Sequence, residues 1–183
     1  MASYVALLRG INVGGKNLIK MAELKASFEA AGFEDVATYI QSGNVLFRAA
    51  RSSTAALERR IEGMLSREFG YRASVVLRSH AQMSALVDGA PRGFGGKPGI
   101  YLYDVVFLKA PLTAAAALKS VPTHPEVDQL SSGRGVLYFR RLASRAVQSR
   151  LNRVASLPAY KFMTIRNWNT TTKLLRLMEE TLL

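Results

Sequence analysis

Val5-Ala6-Leu7-Leu8-Arg9 is a short apolar run that ends on a cation, and Val105-Val106-Phe107-Leu108-Lys109 repeats it in the second half of the chain. Continuous apolar runs of this length, rich in β-branched residues, are typical of buried β-strands. The recurrence of one pattern in both halves indicates that a structural unit occurs twice.

Two further pairs of segments recur in the same order. Residues 41–47 and 131–139 each carry a glycine turn followed by an apolar strand, which predicts a hairpin in each half. Residues 75–79 and 163–167 each read as a strand that contains an arginine and precedes a helical pattern. We therefore predict an α+β fold of two duplicated ferredoxin-like βαββαβ units, with antiparallel sheets and helices packed on one face. The units would span 1–90 and 100–183 with a linker at 91–99, and the two could also form one compact domain.

Apolar spacing locates the predicted helices. The residues that share a helix face are Leu24, Phe28 and Ala31; Leu57, Ile61 and Leu65; Val147, Leu151 and Val154; and Leu174, Leu175 and Met178. Gly32 and Gly70 are expected to end the first two helices. Asn169 is expected to cap the last helix.

The first half contains a loop that the second half lacks. Arg9 precedes the hairpin residue Gly43 by 34 residues, whereas Lys109 precedes Gly133 by 24, so ten extra residues fall at 10–19. This insertion loop reads Gly10-x-x-x-x-Gly15-Lys16, which resembles a phosphate-binding P-loop. Asn17 stands where a P-loop needs Ser or Thr for Mg²⁺, and a P-loop enzyme needs a parallel sheet. The pattern favours a non-hydrolytic anion nest or a purely structural glycine loop over an NTPase.

The charge is uneven along the chain. The net charge is +12, and no carboxylate occurs in the fifty residues between Asp128 and Glu179, where ten cations lie. Such a surface attracts polyanions. A nucleic-acid interface is therefore one hypothesis; its residues would be Tyr138, Arg140, Arg141, Arg145, Arg150 and Arg153.

Composition excludes several kinds of chemistry. The chain has no cysteine, so thiol nucleophiles, disulfides and Cys-ligated metals are ruled out. Its two histidines, His80 and His124, lack metal-site spacing, and we predict neither a metal nor a cofactor. No apolar run approaches the length of a membrane-spanning helix, and the opening residues do not resemble a signal peptide. A soluble cytoplasmic protein without membrane partners is the expectation.

Three segments carry a family resemblance: residues 8–17 (LRGINVGGKN), 38–45 (TYIQSGNV) and 166–170 (RNWNT). They resemble the signature of a bacterial family of conserved hypothetical proteins, domain of unknown function 1697. The resemblance covers essentially the whole chain and implies an α+β fold of duplicated ferredoxin-like units. It implies no established activity, substrate or cofactor, and so assigns no catalytic residue.

Taken together, the motifs predict a protein that binds an anionic, phosphate-bearing ligand. The candidate ligand-binding residues are Arg9, Asn12, Gly14, Gly15, Lys16, Asn17, Gln41, Ser42, Gly43, Asn44, Arg166, Asn167, Asn169 and Lys173. The expectation is that folding brings the insertion loop, the hairpin turn and the 166–173 junction into one site. Three alternatives stay open: a nucleic-acid binder, an enzyme acting on a nucleotide or phosphorylated small molecule, and a non-catalytic interaction module. Ligand identity and oligomeric state are not determined by the sequence.

Overall fold

The structure is a computed structural model that describes residues 1–12 and 15–180. By internal contacts the chain divides into two compact units, Met1–Ser84 with Lys173–Leu183, and Ala85–Thr172. The segment predicted as a linker, 91–99, is thus counted with the second unit. Each unit is built around one four-stranded sheet.

The first unit has the βαββαβ order predicted from the sequence. Its elements are β1 (Ala2–Arg9), α1 (Met21–Ala30), β2 (Glu34–Tyr39), β3 (Asn44–Ala49), α2 (Thr54–Phe69) and β4 (Ser74–Ser79), and α3 (His80–Asp88) follows. The strand order is β2-β3-β1-β4 and every pair is antiparallel. Gly70 caps α2 in the left-handed conformation, at φ 65°, as its position predicts.

The second unit repeats this plan. Its elements are β5 (Tyr101–Leu108), α4 (Ala114–Ser120), β6 (Asp128–Gly133), β7 (Val136–Leu142) and β8 (Met163–Asn167), and α5 (Trp168–Glu180) follows. The order β6-β7-β5-β8 matches that of the first sheet, again with antiparallel pairs. Even the register agrees, since Val5 pairs with Arg78 and Val105 with Arg166. The duplicated fold is confirmed.

Each sheet packs its helices on one face. In the first unit Leu24 and Phe28 of α1 and Ile61 and Leu65 of α2 join alternate strand residues such as Ala6 in a single buried cluster. Alternation along a strand places such residues on the same face. The opposite face of this sheet is also buried, because Val5, Leu7, Leu46 and Val76 are at most 3% exposed.

Side chains of α2 cover the edge of β4. The N–H groups of Val75 and Leu77 donate to the carboxylates of Glu62 and Glu58 at 2.8 and 2.9 Å, and the N–H of Ala73 donates to Ser66 at 3.1 Å. These acceptors recur every four residues along α2 and therefore share one helix face. An edge strand whose N–H groups are satisfied in this way is protected from pairing with another chain.

Two details of the sequence prediction are wrong. The helix expected around Val147, Leu151 and Val154 is replaced by three 3₁₀ segments, Ala143–Gln148, Leu151–Ser156 and Pro158–Phe162. The backbone is extended at Ser149 and again before Pro158, and the N–H of Arg150 donates to Asp128 instead of along a helix. The last helix begins at Trp168, so its cap is Asn167 and not Asn169; the Asn167 side chain accepts the N–H of Thr170 at 2.7 Å.

Candidate functional site

The insertion loop is held by its own asparagines. The side-chain amide of Asn12 donates to the carbonyls of Ile19 and Gln41 at 3.1 and 2.9 Å, and its oxygen accepts the N–H of Ile19 at 2.9 Å. Asn17 donates to the carbonyl of Gly10 at 2.8 Å. Both asparagines have positive φ, 52° and 49°, a conformation that asparagine tolerates better than most residues. The loop amides therefore serve a structural role.

The hairpin turn packs beneath this loop. Asn44 is fully buried and donates to the carbonyl of Tyr39 at 2.9 Å and to the hydroxyl of Ser42 at 3.1 Å. Gly43 has φ 80°, and a Cβ there would lie 2.5 Å from Ile11 Cδ1. The structure thus brings two of the three predicted segments together in the first unit. Gly14 lies outside the described residues.

The groups that could bind an anion where the insertion loop meets the hairpin turn are cations and main-chain N–H groups. Arg9 is half-buried at the end of β1, while Gly15 and Lys16 are exposed. The amide side chains of Asn12, Asn17 and Asn44 are already used in internal hydrogen bonds. A ligand at this corner would depend on these two cations and on main-chain N–H groups.

The third predicted segment lies in the second unit and is also built into the scaffold. Arg166 is 9% exposed and donates to the Thr164 hydroxyl at 3.0 Å and to the Ile165 carbonyl at 2.9 Å, and burial lowers its pKa to about 10. Its counterpart Arg78 is buried to the same degree, and burial lowers its pKa as well. A buried arginine at the same register position of both sheets indicates a role in the repeated fold. Asn169 is exposed, and Lys173 is counted with the first unit. One site built from all three segments stays a prediction.

A cleft that the sequence analysis missed opens at the other end of β1. Its volume is about 670 Å³, and it lies where β1 begins, β3 ends, and both α2 and α3 begin. It is lined by Met1, Ala2, Ser3, Tyr4, Arg51, Ser52, Ser53, Thr54, Ser79, His80, Ala81 and Gln82. Two of these side chains, Arg51 and His80, can carry positive charge. No lining residue is an Asp or Glu, but Glu179 Oε1 lies 4.0 Å from His80 Nε2.

Hydrogen bonds shape this cleft. Ser53 caps α2 by accepting the N–H of Ala56 at 3.2 Å. Ser79 and Gln82 form a reciprocal capping box at the start of α3, with distances of 2.9 and 3.3 Å. The sequence signal was present as Arg51-Ser52-Ser53-Thr54, a cation and three hydroxyls directly before a helix.

Comparison with known proteins identifies the family. The model of a protein family of unknown function, DUF1697, matches residues 1–138, three quarters of the chain. The chain belongs to the DUF1697 family. The match contains the insertion loop and the hairpin turn of this DUF1697 protein, and it ends before Arg166.

A solved structure resembles this DUF1697 protein over its whole length. The conserved bacterial protein SP0830 from Streptococcus pneumoniae is 26% identical, with a TM-score of 0.83 over 97% of this chain and 98% of that one. No curated protein matches the chain. These similarities support the fold and the family, and they assign no activity.

The residues of the nucleic-acid hypothesis fall into two groups. The ring of Tyr138 is 2% exposed, packs edge-on against Phe94, and its hydroxyl donates to the carbonyl of Leu86 at 2.6 Å, so it cannot stack on a base in this arrangement. The arginines have different environments. Arg140 lies over the Tyr101 ring, while Arg141 and Arg145 form ion pairs with Asp104 and Glu126. Arg150 is half-buried and Arg153 is exposed. Stacking by Tyr138 does not fit this arrangement, and of the five arginines only Arg153 is exposed.

Two other kinds of site are absent from the described residues. In residues 1–12 and 15–180, no group of three or more His, Asp or Glu side chains could hold a metal ion. Across the same described residues, no helix has the length and apolar character needed to cross a membrane.

Proposed function

We propose that this DUF1697 protein binds a small phosphate-bearing anion in the cleft of its first unit. The observation that carries the proposal is a cleft of about 670 Å³ lined by Arg51, His80 and several hydroxyl groups, with no carboxylate in its lining. This volume lies within the range of small-molecule sites. The cleft is preferred to the insertion loop because the side-chain amides of Asn12 and Asn17 in that loop are used in internal hydrogen bonds.

The start of two helices adds to the attraction for an anion. The helix dipole places partial positive charge at this end, and the caps Ser53 and Ser79 already accept one N–H group of each helix. α2 begins at Thr54 and α3 at His80, and both residues line the cleft. Arg51 can supply charge-assisted hydrogen bonds to phosphate oxygens, and the hydroxyls of Ser52 and Thr54 can bind further ligand oxygens.

Matched charge variants test the location. We would titrate AMP, glucose 6-phosphate and inorganic phosphate into the protein by calorimetry, and repeat the titration with Arg51→Ala and Lys16→Ala. Both residues are exposed, so each variant removes one surface cation. The Arg51 variant should weaken binding at least about tenfold, since a charge-assisted hydrogen bond contributes about 1.5–3 kcal/mol and 1.4 kcal/mol is a factor of about ten. The Lys16 variant should bind normally.

The alternative outcomes are distinct. Loss of binding in Lys16→Ala alone would return the site to the insertion loop. Equal, small losses in both variants would mean that only the overall charge attracts the anion. Absence of binding by all three probes at millimolar concentration would refute the proposal.

A second candidate function is nucleic-acid binding by the second unit, favoured by its charge. Residues 85–172 contain twelve Lys and Arg but four Asp and Glu. Three of these carboxylates are engaged: Asp104 with Arg141, Glu126 with Arg145, and Asp128 with the N–H groups of His124 and Arg150. The exposed cations include Arg134, Arg153 and Lys161.

Salt dependence tests this candidate. Binding of a fluorescent single-stranded oligonucleotide should weaken linearly with salt on a logarithmic scale, with a slope of about −0.7 for each phosphate neutralised. Replacing Arg134, Arg153 and Lys161 together by Gln should flatten the slope. Binding that is absent, or that does not change with salt, would remove this candidate.

A further inference from the structure

A second enclosed space lies in the second unit, where β5 projects beyond β8. Pairing of the two strands ends with Asp104 opposite Asn167, while β5 extends to Tyr101. The gap holds a pocket of about 300 Å³. Its aromatic lining comes from Tyr101, Tyr103 and Trp168, and its charged lining from Asp104 and Arg141.

The aromatic wall is fixed by close packing. Gly95 has φ 81°, and a Cβ there would lie 2.3 Å from the indole nitrogen of Trp168, so the backbone lies directly against this ring. Phe94 meets Trp168 edge-on with 5.1 Å between ring centroids, and it meets Tyr103 in the same way at 4.9 Å. These contacts hold the rings in place before any ligand enters.

The charged wall contains hydrogen-bonding atoms that the protein does not use. Asp104 and Arg141 are in ionic contact at 3.3 Å, with 11% and 20% of their side chains exposed. Within the part of the chain that the structure describes, Arg141 Nε is buried without a hydrogen-bond partner, and the contact of Asp104 Oδ2 with Arg141 Nη2 is longer than an ordinary charge-assisted hydrogen bond. A buried donor or acceptor without a partner costs free energy, and a functional site is one reason for a protein to keep it.

Burial acts on the same carboxylate. It raises the pKa of Asp104, and the attraction of Arg141 only partly opposes this effect. The group is therefore held in an environment where an N–H donor would stabilise its charged form.

The charges of the pocket select the class of ligand. A cation would meet Arg141 together with Arg140, whose guanidinium lies 4.3 Å from the Tyr101 ring centroid, and an anion would meet Asp104. A neutral ring avoids both repulsions. The aromatic walls favour a planar heterocycle as the ligand. The acceptor Asp104 needs an N–H group on that ligand, and the donor Arg141 needs a carbonyl oxygen or a ring nitrogen on it.

The geometry points to a binding site for a neutral planar heterocycle, with an N–H donor beside a carbonyl acceptor, in the Asp104–Arg141 pocket. Such an edge is that of a guanine-type base, which presents N–H donors to a carboxylate and a carbonyl oxygen to an arginine. This site is independent of the anion site proposed for the first unit.

Trp168 provides the readout, because it is the only tryptophan of the chain and lines the pocket. We would titrate guanosine into the full-length protein, follow tryptophan fluorescence and confirm the affinity by calorimetry. Caffeine is the matched control ligand, since it is a flat purine without an N–H donor. Guanosine should change the fluorescence saturably, and caffeine should bind at least tenfold more weakly.

Three variants test the hydrogen bonds. Asp104→Asn should weaken guanosine binding about tenfold or more, because a charged acceptor is lost. Arg141→Lys keeps the charge and removes the Nε donor, so it should also weaken binding. Glu126→Gln is the control, since it removes another arginine-paired carboxylate of this unit that does not line the pocket, and it should bind normally.

Some results would overturn the inference. They are equal affinity for guanosine and caffeine, unchanged affinity in both Asp104→Asn and Arg141→Lys, or no binding of guanosine at millimolar concentration. Circular dichroism identifies a variant that fails to fold, and the other variant then decides.

Discussion

Substituting Gly43 by alanine tests whether this motif glycine belongs to the architecture. A Cβ at position 43 would lie 2.5 Å from Ile11 Cδ1, 2.9 Å from Ile11 Cγ1 and 3.0 Å from Leu8 Cβ. Leu8 is part of β1 and Ile11 is 1% exposed, so neither can move far. The glycine therefore lets the insertion loop lie directly on the hairpin turn.

Two costs add in this variant. Left-handed φ costs a non-glycine residue about 1–2 kcal/mol, and forcing extra atoms into a packed region costs about 1–3 kcal/mol. Gly43→Ala should thus lower the free energy of unfolding by about 3 kcal/mol. Gly10→Ala is the matched control, because Gly10 has φ 72° but no atom within 4 Å of the added Cβ. That variant should lose only the conformational cost, about 1–2 kcal/mol.

Chemical denaturation of both variants measures the difference, and thermal melts should show it as well. For a chain of this length 1 kcal/mol corresponds to about 2–4 °C in Tm, so roughly 10 °C is expected for Gly43→Ala and roughly 4 °C for Gly10→Ala. In an Ile11→Ala background the extra cost of Gly43→Ala should fall by about 1–2 kcal/mol, as coupled residues show in a double-mutant cycle. Equal losses for Gly43→Ala and Gly10→Ala would refute the reasoning, because the loop would then not press on the turn.

Two other predictions concern stability, and a third concerns the fluorescence of Trp168. Glu62→Ala removes the acceptor of the Val75 N–H and should lower the free energy of unfolding, measured in urea, by about 2 kcal/mol. Glu62→Gln keeps an acceptor and should lose less. Equal losses in the two variants would contradict the role of this hydrogen bond. Burial raises the pKa of Tyr71 from 10.0 to about 12, so the folded state binds the proton more tightly and stability should be lost as the pH rises from 10 to 12. Tyr71→Phe should reduce that loss and leave the part due to Tyr138, whose pKa burial also raises. It should also gain about 1 kcal/mol at neutral pH because the Tyr71 hydroxyl is buried without a partner among the described residues, and urea unfolding at pH 8 and 11 would show either result. Gly95→Ala should displace Trp168 and shift its fluorescence, whereas Gly93→Ala, with φ 78° but no atom within 4 Å of the added Cβ, should leave the spectrum unchanged.

The strands could be predicted because their signals are local and repeated. Val5 and Val105 open equivalent apolar runs, and the arginines of the last strands, Arg78 and Arg166, fall at the same register position in both sheets. Continuous apolar runs, glycine turns and order along the chain are all visible in a sequence. The insertion at 10–19 was found by the same comparison, and the structure places it between β1 and α1.

The segment after β7 could not be predicted because a distant residue decides it. Apolar residues at 147, 151 and 154 have helical spacing, yet Val147 is 91% exposed. The Asp128 carboxylate accepts the N–H of Arg150 at 2.9 Å, which draws the backbone away from a continuous helix. Such a tertiary hydrogen bond overrides local periodicity, and nothing in the segment itself reveals it.

The two candidate sites differ from the motif prediction for a physical reason. Asparagine side chains such as those of Asn12 and Asn44 can bind a ligand, and they can equally form hydrogen bonds with the backbone of a turn. A sequence motif alone does not tell these two uses apart. Their hydrogen-bond partners do: Asn12 and Asn44 bind the protein's own carbonyls. Asp104 and Arg141 lie instead in the β5–β7 strand pair, where the sequence analysis marked Arg141 only for its charge. Whether a polar side chain is already bonded within its own turn is visible only in the structure, and for this reason the sites proposed here lie around cavities and not at the motifs.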